Sequence, residues 1–374
     1  MFYQSSFHHM FLENPTISNI ISGLKELSAT ENSQVLLFIG EKCDIDLKVL
    51  VNSLNNENIL FIGGIFPQVI HQKITSDKGI VIKKIELELV PIYFNSESEF
   101  VNKFSDYQDH KFTTAFTLID GLSERASDQL MTLFTHLGNN VRFFGGGVGR
   151  LQSAKEGILI SNEGIYQTGT MVVFLSSKTK IDAKHGWKKS VGPFIVTKSE
   201  KNLIKELNWE NAFTVYQRCL KETQNISLTK ESFSQHSIHF PFGIFKEERD
   251  YIVRDPFEVN NEGHITCVGN IPENSLIDIL SVEEDKLREI PEKMISNCIM
   301  KTGVKPLPVL FSCISRFTHL QDRFDEELEG FNSELLKHFP ESELEGALSI
   351  GEIYSSGSGY LELLNKSIVL GLAY

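Results

Sequence analysis

Histidines, a glycine run and a few charged pairs are the residues of this chain best placed to do chemistry. His185 stands in Lys184-His185-Gly186-Trp187, beside a glycine and an aromatic. An imidazole with a small neighbour and a flat ring next to it could ligate a haem iron or close over a planar ligand. The plainer reading is a surface or interdomain histidine. His236 and His239 are three apart, which puts both on one face of a helical turn; a zinc site there lacks a third ligand in the sequence. Gly145-Gly146-Gly147-Val148-Gly149 follows an apolar run. Glycines at such a place either make a structural turn or let backbone N–H groups approach an anion or a flat ligand. The run is neither a Walker A loop nor a G-x-G-x-x-G entry into a helix.

Arg254-Asp255-Pro256, Arg316, Asp322-Arg323 and Glu352 are charged groups at the ends of apolar runs. Such groups either pin loops or bind the charged ends of a ligand. Cys313 could be a nucleophile, but no motif ties a His or Asp to it. G-x-S-x-G, H-E-x-x-H and the kinase signatures are all missing, so no sequence signature supports an enzyme.

The elements that must position these groups follow a recurring order. A helix over 17–27, capped near Ser18 or Asn19, precedes a buried strand at Val35–Gly40, a helix at Asp46–Leu54 and a second buried strand at Ile59–Gly64. Gly79–Phe94 alternates as one half-exposed strand would. A second round comprises strand Thr114–Gly121, helix Ala126–Leu137, strand Val141–Gly145, and strands Gly157–Ile160 and Thr170–Ser176 about a turn at Asn162-Glu163-Gly164. A third has strand Val309–Ser312, helix Phe324–Phe339, strand Ala347–Ile350 and a closing hairpin over 360–374 that turns at Asn365-Lys366. Three degenerate strand–helix–strand–hairpin units imply a mixed α/β fold with sheets flanked by helices. A polar stretch at Ser176–Asp182 suggests a boundary between two related halves, 1–180 and 181–374. Lys221–His236 reads as a surface loop or broken helix.

Composition narrows the function classes. The chain has 374 residues, 41% hydrophobic and 23% charged, with a mean hydropathy of −0.12, the balance of a folded globular protein. Its net charge of −13 and lack of a Lys/Arg block argue against nucleic acid. Five scattered cysteines without a C-x-x-C pair point to a reducing compartment. No signal peptide is evident, nor any apolar run long enough to span a membrane. The expectation is a cytoplasmic protein.

Taken in order, the C-terminal motifs resemble the FIST family of sensory proteins. They are His185-Gly186-Trp187-Lys188, Gly192-Pro193-Phe194, Val196-Thr197-Lys198-Ser199-Glu200, Leu207-Asn208-Trp209, Ala212-Phe213-Thr214-Val215-Tyr216 and Pro241-Phe242-Gly243-Ile244. Val253-Arg254-Asp255-Pro256, Val268-Gly269-Asn270-Ile271-Pro272, Phe311-Ser312-Cys313-Ile314-Ser315-Arg316, Gly351-Glu352-Ile353 and the run from Tyr360 to Lys366 complete the set. In the N-terminal half many members look like Gly-Gly-Ser-Ala-Gly-Asp where this chain has Gly146-Gly147-Val148-Gly149-Arg150. The acidic residue is missing, which puts in doubt any ligand that needs it.

The resemblance implies a small-ligand sensor, with an N-terminal sensory half over 1–180 and a C-terminal half over 181–374. Within the family the chain is similar to the stand-alone nitric-oxide-sensing haem proteins. That likeness implies haem b held by His185 with Trp187, Gly146, Gly147 and Gly149 nearby, nitric oxide at the open iron position, and control of a separate histidine kinase. His8, His9, His236 and His264 are the reserve iron ligands. The alternative is a haem-free sensor of an amino acid or similar metabolite, gripped by Arg254, Asp255, Arg316 and Glu352. A homodimer is compatible with either.

Overall fold

The computed structural model describes residues 9–27, 33–86, 91–107, 109–151, 157–246, 250–301, 303–357 and 361–374. His8 and Tyr360 lie outside these. Among the described residues the strands form four sheets with helices against them, the expected mixed α/β class.

Three of the sheets come from the three units, and each unit is built alike. An edge strand (His9–Leu12, Ile92–Phe94 or Thr179–Lys184) leads to a helix (Ile17–Glu26, Glu97–Phe104 or Ile290–Cys298). Two parallel strands joined by a helical crossover follow: Ser33–Gly40 with Leu60–Phe66, Thr114–Asp120 with Arg142–Val148, and Leu307–Cys313 with Glu345–Ser349. Next comes a short hairpin, and then a return strand, Ile80–Glu86, Thr170–Phe174 or Ile368–Ala373, antiparallel to the unit's first parallel strand. The hairpin never stays at home. That of the first unit, Gln68–His71 with Ile74–Ser76, adds to the third unit at Glu345–Ser349. That of the second, Leu159–Ser161 with Gly164–Tyr166, adds to the first at Leu60–Phe66. That of the third, Glu352–Ser355 with Glu362–Leu364, adds to the second at Arg142–Val148. The exchange is cyclic and closes.

A shared aromatic core sits where the three sheets meet. Phe38 and Phe66 of the first, Phe116 and Phe144 of the second and Phe311 of the third are all buried, with ring centroids 5.3–5.9 Å apart along the chain of contacts. The fourth sheet is an insertion into the third unit, between Thr179–Lys184 and Ile290–Cys298. Its spine is the long strand Trp187–Glu200 paired with Leu276–Val282, and the helix Ala212–Gln224 buries Phe213, Val215 and Tyr216 against it. The border at 180 falls inside the strand Thr179–Lys184. Among the described residues no helix is long and apolar enough to cross a membrane.

Several local expectations change. Thr16, two to three residues before Ser18 and Asn19, accepts from the Asn19 amide and caps the first helix. Gly79–Phe94 is two strands in different sheets, Ile80–Glu86 returning in the first unit and Ile92–Phe94 opening the second. The turn at Asn162-Glu163 joins Leu159–Ser161 to Gly164–Tyr166, while Thr170–Phe174 belongs to another sheet. Lys221–His236 contains the end of the helix Ala212–Gln224 and the short helix Phe233–Ser237.

The glycine run is strand, not loop: Arg142–Val148 continues through Gly145, Gly146 and Gly147. A Cβ on Gly145 would lie 1.8 Å from the carbonyl oxygen of Thr117, its register partner on the parallel strand. The same device recurs at Gly63 against Leu37 (2.7 Å) and at Gly346 against Leu310 (1.7 Å). One glycine per unit thus lets the parallel pair approach. A Cβ on Gly146 would meet Phe311 and Ser349, and one on Gly147 or Gly149 would meet Ile350. Protein atoms fill the space that a cofactor held by Gly146, Gly147 and Gly149 would need.

Candidate functional site

A buried polar centre forms where the third unit's parallel strands end and the inserted sheet begins. Ends of parallel strands are where α/β folds gather ligand-binding loops. Cys313 closes one strand, Ser349 closes the other, and the turn Asn365-Lys366 lies across them. The inserted sheet brings Trp187, Arg254 and Asp255 from its near edge, with His185 just before it. His185, Trp187, Asp255, Arg316 and Glu352, far apart in sequence, meet here; all are buried.

The two arginines are clamps. Arg316 grips Glu327 through two bonds, Nε to Oε2 at 2.9 Å and Nη2 to Oε1 at 2.5 Å. Its Nη1 donates to the carbonyl oxygens of His185 (2.5 Å) and Lys366 (3.3 Å). Arg254 donates to the carbonyls of Asn270, Val253 and Leu363 and reaches Glu362 at 3.4 Å. With their donors committed to the protein, neither guanidinium is free to take a ligand carboxylate, as the sequence had suggested.

The centre also holds a buried cation that sequence reasoning missed. Lys366 sits at the left-handed position of its turn (φ +52°), and its ammonium is wholly buried. Its Nζ lies 3.2 Å from Asp255 Oδ1 and 5.2 Å from the centre of the Trp187 ring, yet completes no well-formed hydrogen bond. Burial raises the Asp255 carboxyl, against the pull of Lys366 and a bond to Ser315. Cys313 Sγ is 3.2 Å from Ser315 Oγ, and burial pushes its thiol up to about 12, which removes it as a nucleophile. Glu352 accepts from Ser349 Oγ (2.8 Å) and the Ser367 amide (3.2 Å); burial nonetheless pushes it up to about 8. On the outer side the Trp187 ring packs on His319 at 4.7 Å, and His319 Nδ1 meets His239 Nδ1 at 2.8 Å. Burial holds His319 down to about 3 and lowers His239 as well. His239 therefore pairs with His319, not with His236 as the zinc reading required.

The haem reading rests on His185. The Trp187 backbone N–H donates to His185 Nδ1 at 2.9 Å. An amide can only donate, so Nδ1 carries the lone pair and the proton of the neutral ring sits on Nε2, which faces the Tyr251 carbonyl. Burial holds the imidazole down to about 4, so the ring is neutral. An iron ligand needs a bare nitrogen; here Nδ1 accepts from the Trp187 amide and the buried Nε2 carries hydrogen. Gly186 (φ +77°) adds a packing limit: a Cβ there would lie 2.7 Å from Leu287 and 3.1 Å from Ile290. In this arrangement the residues do not fit an axial haem site. Among the reserve histidines, His264 belongs to a turn with Asn260 and Glu262, and His9 pairs with Glu343 at a distant seam.

Comparison with known proteins identifies two family domains in the chain. No curated protein matches the chain. The FIST N domain family model matches residues 34–210, taking in most of the first unit, the second unit, the edge strand of the third and the start of the inserted sheet. The FIST C domain model matches residues 212–355, which hold the rest of the inserted sheet and most of the third unit. Between them the two models cover the aromatic core and, Glu362 and Lys366 apart, the charged side chains of the polar centre. The chain belongs to the FIST family, whose domains are small-ligand sensors in signalling.

Proposed function

We propose that the protein senses an amino acid or a similarly zwitterionic metabolite at the buried polar centre, and relays it in the cytoplasm to a separate signalling protein such as a histidine kinase. One observation carries this reading. Among the described residues, six buried side-chain polar atoms with no or imperfect hydrogen bonds crowd this centre: His185 Nε2, Trp187 Nε1, Asp255 Oδ1, Ser312 Oγ, Asn365 Oδ1 and Lys366 Nζ, of which Lys366 and Asp255 pair as ions at 3.2 Å and His185 faces the Tyr251 carbonyl. Buried polar atoms in that condition destabilise a fold unless they have a purpose. Their chemistry is mixed: ammonium and indole N–H for a carboxylate, carboxylate and amide oxygens for an ammonium. The Trp187 face offers a flat apolar wall.

Sensing needs two states with different affinity for the ligand. The centre joins the inserted sheet to the three-unit body, so its occupant bears on how those parts meet. The partner protein then reads the surface that results. Five free cysteines support a reducing compartment. A haem b sensor of nitric oxide would first have to break the Trp187–His185 bond and move the imidazole proton.

Calorimetric titration of the full chain with each common amino acid tests the proposal. One of them should bind one to one and raise Tm, and Lys366→Met or Asp255→Asn, checked for folding by circular dichroism, should abolish the response. No binding by any of them, or binding unchanged in both variants, overturns it. So does a stoichiometric Soret band, shifting with nitric oxide, in protein from haem-supplemented cells.

A further inference from the structure

A second cluster lies at the seam between the first and third units, away from the polar centre. Two cross-strand pairs from different sheets face each other there. His9 is in register with Lys83 across the first sheet, and His71 with Glu345 across the third. Glu345 is fully buried; Lys83 Nζ is 2.8 Å from its Oε2, and His71 Nδ1 is 3.3 Å from its Oε1. Glu343, two residues earlier, reaches His9 Nε2 at 2.8 Å. His9, Glu343 and Glu345 thus present one imidazole nitrogen and two carboxylate oxygens, all within 4.8 Å of one another.

We propose that His9, Glu343 and Glu345 bind a single Zn2+ ion that staples the N-terminal edge strand to the third unit. Nitrogen and carboxylate oxygen are donors this ion accepts, and ligand atoms about 3.3 Å apart suit a tetrahedron with bonds of roughly 2.0–2.1 Å. The present spacing needs only small side-chain rotations to reach that. The charges agree: two carboxylates face one ammonium, Lys83, leaving a net negative charge for a dication to answer. Lys83 and His71 each contact one oxygen of Glu345, and contacts of this kind orient ligands in metal sites. Among the described residues the matching seam of the second unit holds no such set of three ligands. There the edge-strand Tyr93 and the hairpin Tyr166 stack at 3.7 Å, as Phe11 and His71 do here at 4.6 Å. The ligand set is therefore particular to one seam, not a by-product of the repeat.

The test is calorimetric titration of the full, untagged chain with Zn2+, supported by the visible spectrum of the Co2+-loaded protein. One ion per chain is expected, with a raised Tm and the visible bands of nitrogen–oxygen coordinated Co2+. His9→Gln and Glu343→Gln change partly exposed side chains, so both variants should fold, and each should weaken binding at least about tenfold. Glu345→Gln removes the partner of a buried lysine, so its failure to fold would leave the other two variants to decide. No binding, or binding that survives either His9→Gln or Glu343→Gln, overturns the assignment.

Discussion

Glu352 is a carboxyl group kept from ionising by its surroundings, and its behaviour with pH follows. Its proton is held up to about 8, whereas an unfolded glutamate releases it near 4.5. Between those values the folded state holds a proton that the unfolded chain has lost, so stability falls as pH rises. His185 and His319 slope the other way. Held down to about 4 and about 3, they refuse protons that the unfolded chain takes up below about 6.5, so stability falls as pH falls below that value. Above pH 6.5 only the Glu352 slope remains of these three. Glu352→Gln should therefore flatten the loss of stability between pH 6.5 and 8.5, measured as urea midpoints; parallel curves for the two proteins would mean that Glu352 is already ionised in the fold. At this scale the sequence was half legible. Asp255, Arg316, Glu352 and His185 were found because charged or aromatic groups at strand ends stand out. Their roles were not, because a spacing cannot show that Glu327 has already taken the Arg316 guanidinium. Lys366 was passed over as a turn residue, though a lysine in a turn flanked by apolar strands was the available clue.

The parallel strand pairs stand or fall on one glycine each. Gly145→Ala or Gly346→Ala would drive a methyl group into the carbonyl of the partner strand, 1.8 or 1.7 Å from the new carbon. Since backbone faces backbone, no rotamer relieves the clash, and the loss should be about 3 kcal/mol or more, read from denaturant midpoints. Gly164→Ala is the control: nothing lies within 4 Å of its would-be Cβ, so only its backbone conformation (φ +152°) is affected and the loss should be much smaller. Strands and helices were largely legible, since apolar runs, caps and Gly punctuation are local signals. The helix Ala126–Leu137 appears with the expected limits. The run Gly145–Gly149 was harder. A glycine that admits a neighbouring strand and one that admits a ligand look the same until the neighbour is known.

At the scale of the molecule, the order of elements was readable and their sheet membership was not. Three units are visible as three rounds of strand, helix and strand, but nothing local in Gln68–Ser76 says that it pairs with a strand some 275 residues later. The exchange makes the units mutually dependent. The three should therefore unfold in one cooperative transition, seen as coincident curves from near-ultraviolet and far-ultraviolet circular dichroism. A fragment ending at residue 177 should not fold, because its strand Arg142–Val148 lacks Glu352–Ser355 and its hairpin Gln68–Ser76 lacks Glu345–Ser349. A folded, monomeric 1–177 fragment would show that the halves are separable bodies after all.

The same cyclic exchange sets a timetable for the ribosome. Synthesis runs from the first unit to the third, and the second unit's central strand, Arg142–Val148, waits for a partner that is made only after about 200 further residues. Until then an apolar, glycine-rich strand edge is open to whatever chain comes near, the condition under which nascent proteins aggregate or recruit chaperones. About 200 further residues must be made before that edge is paired, so a slow or interrupted ribosome would leave this protein more exposed than one whose units close as they emerge.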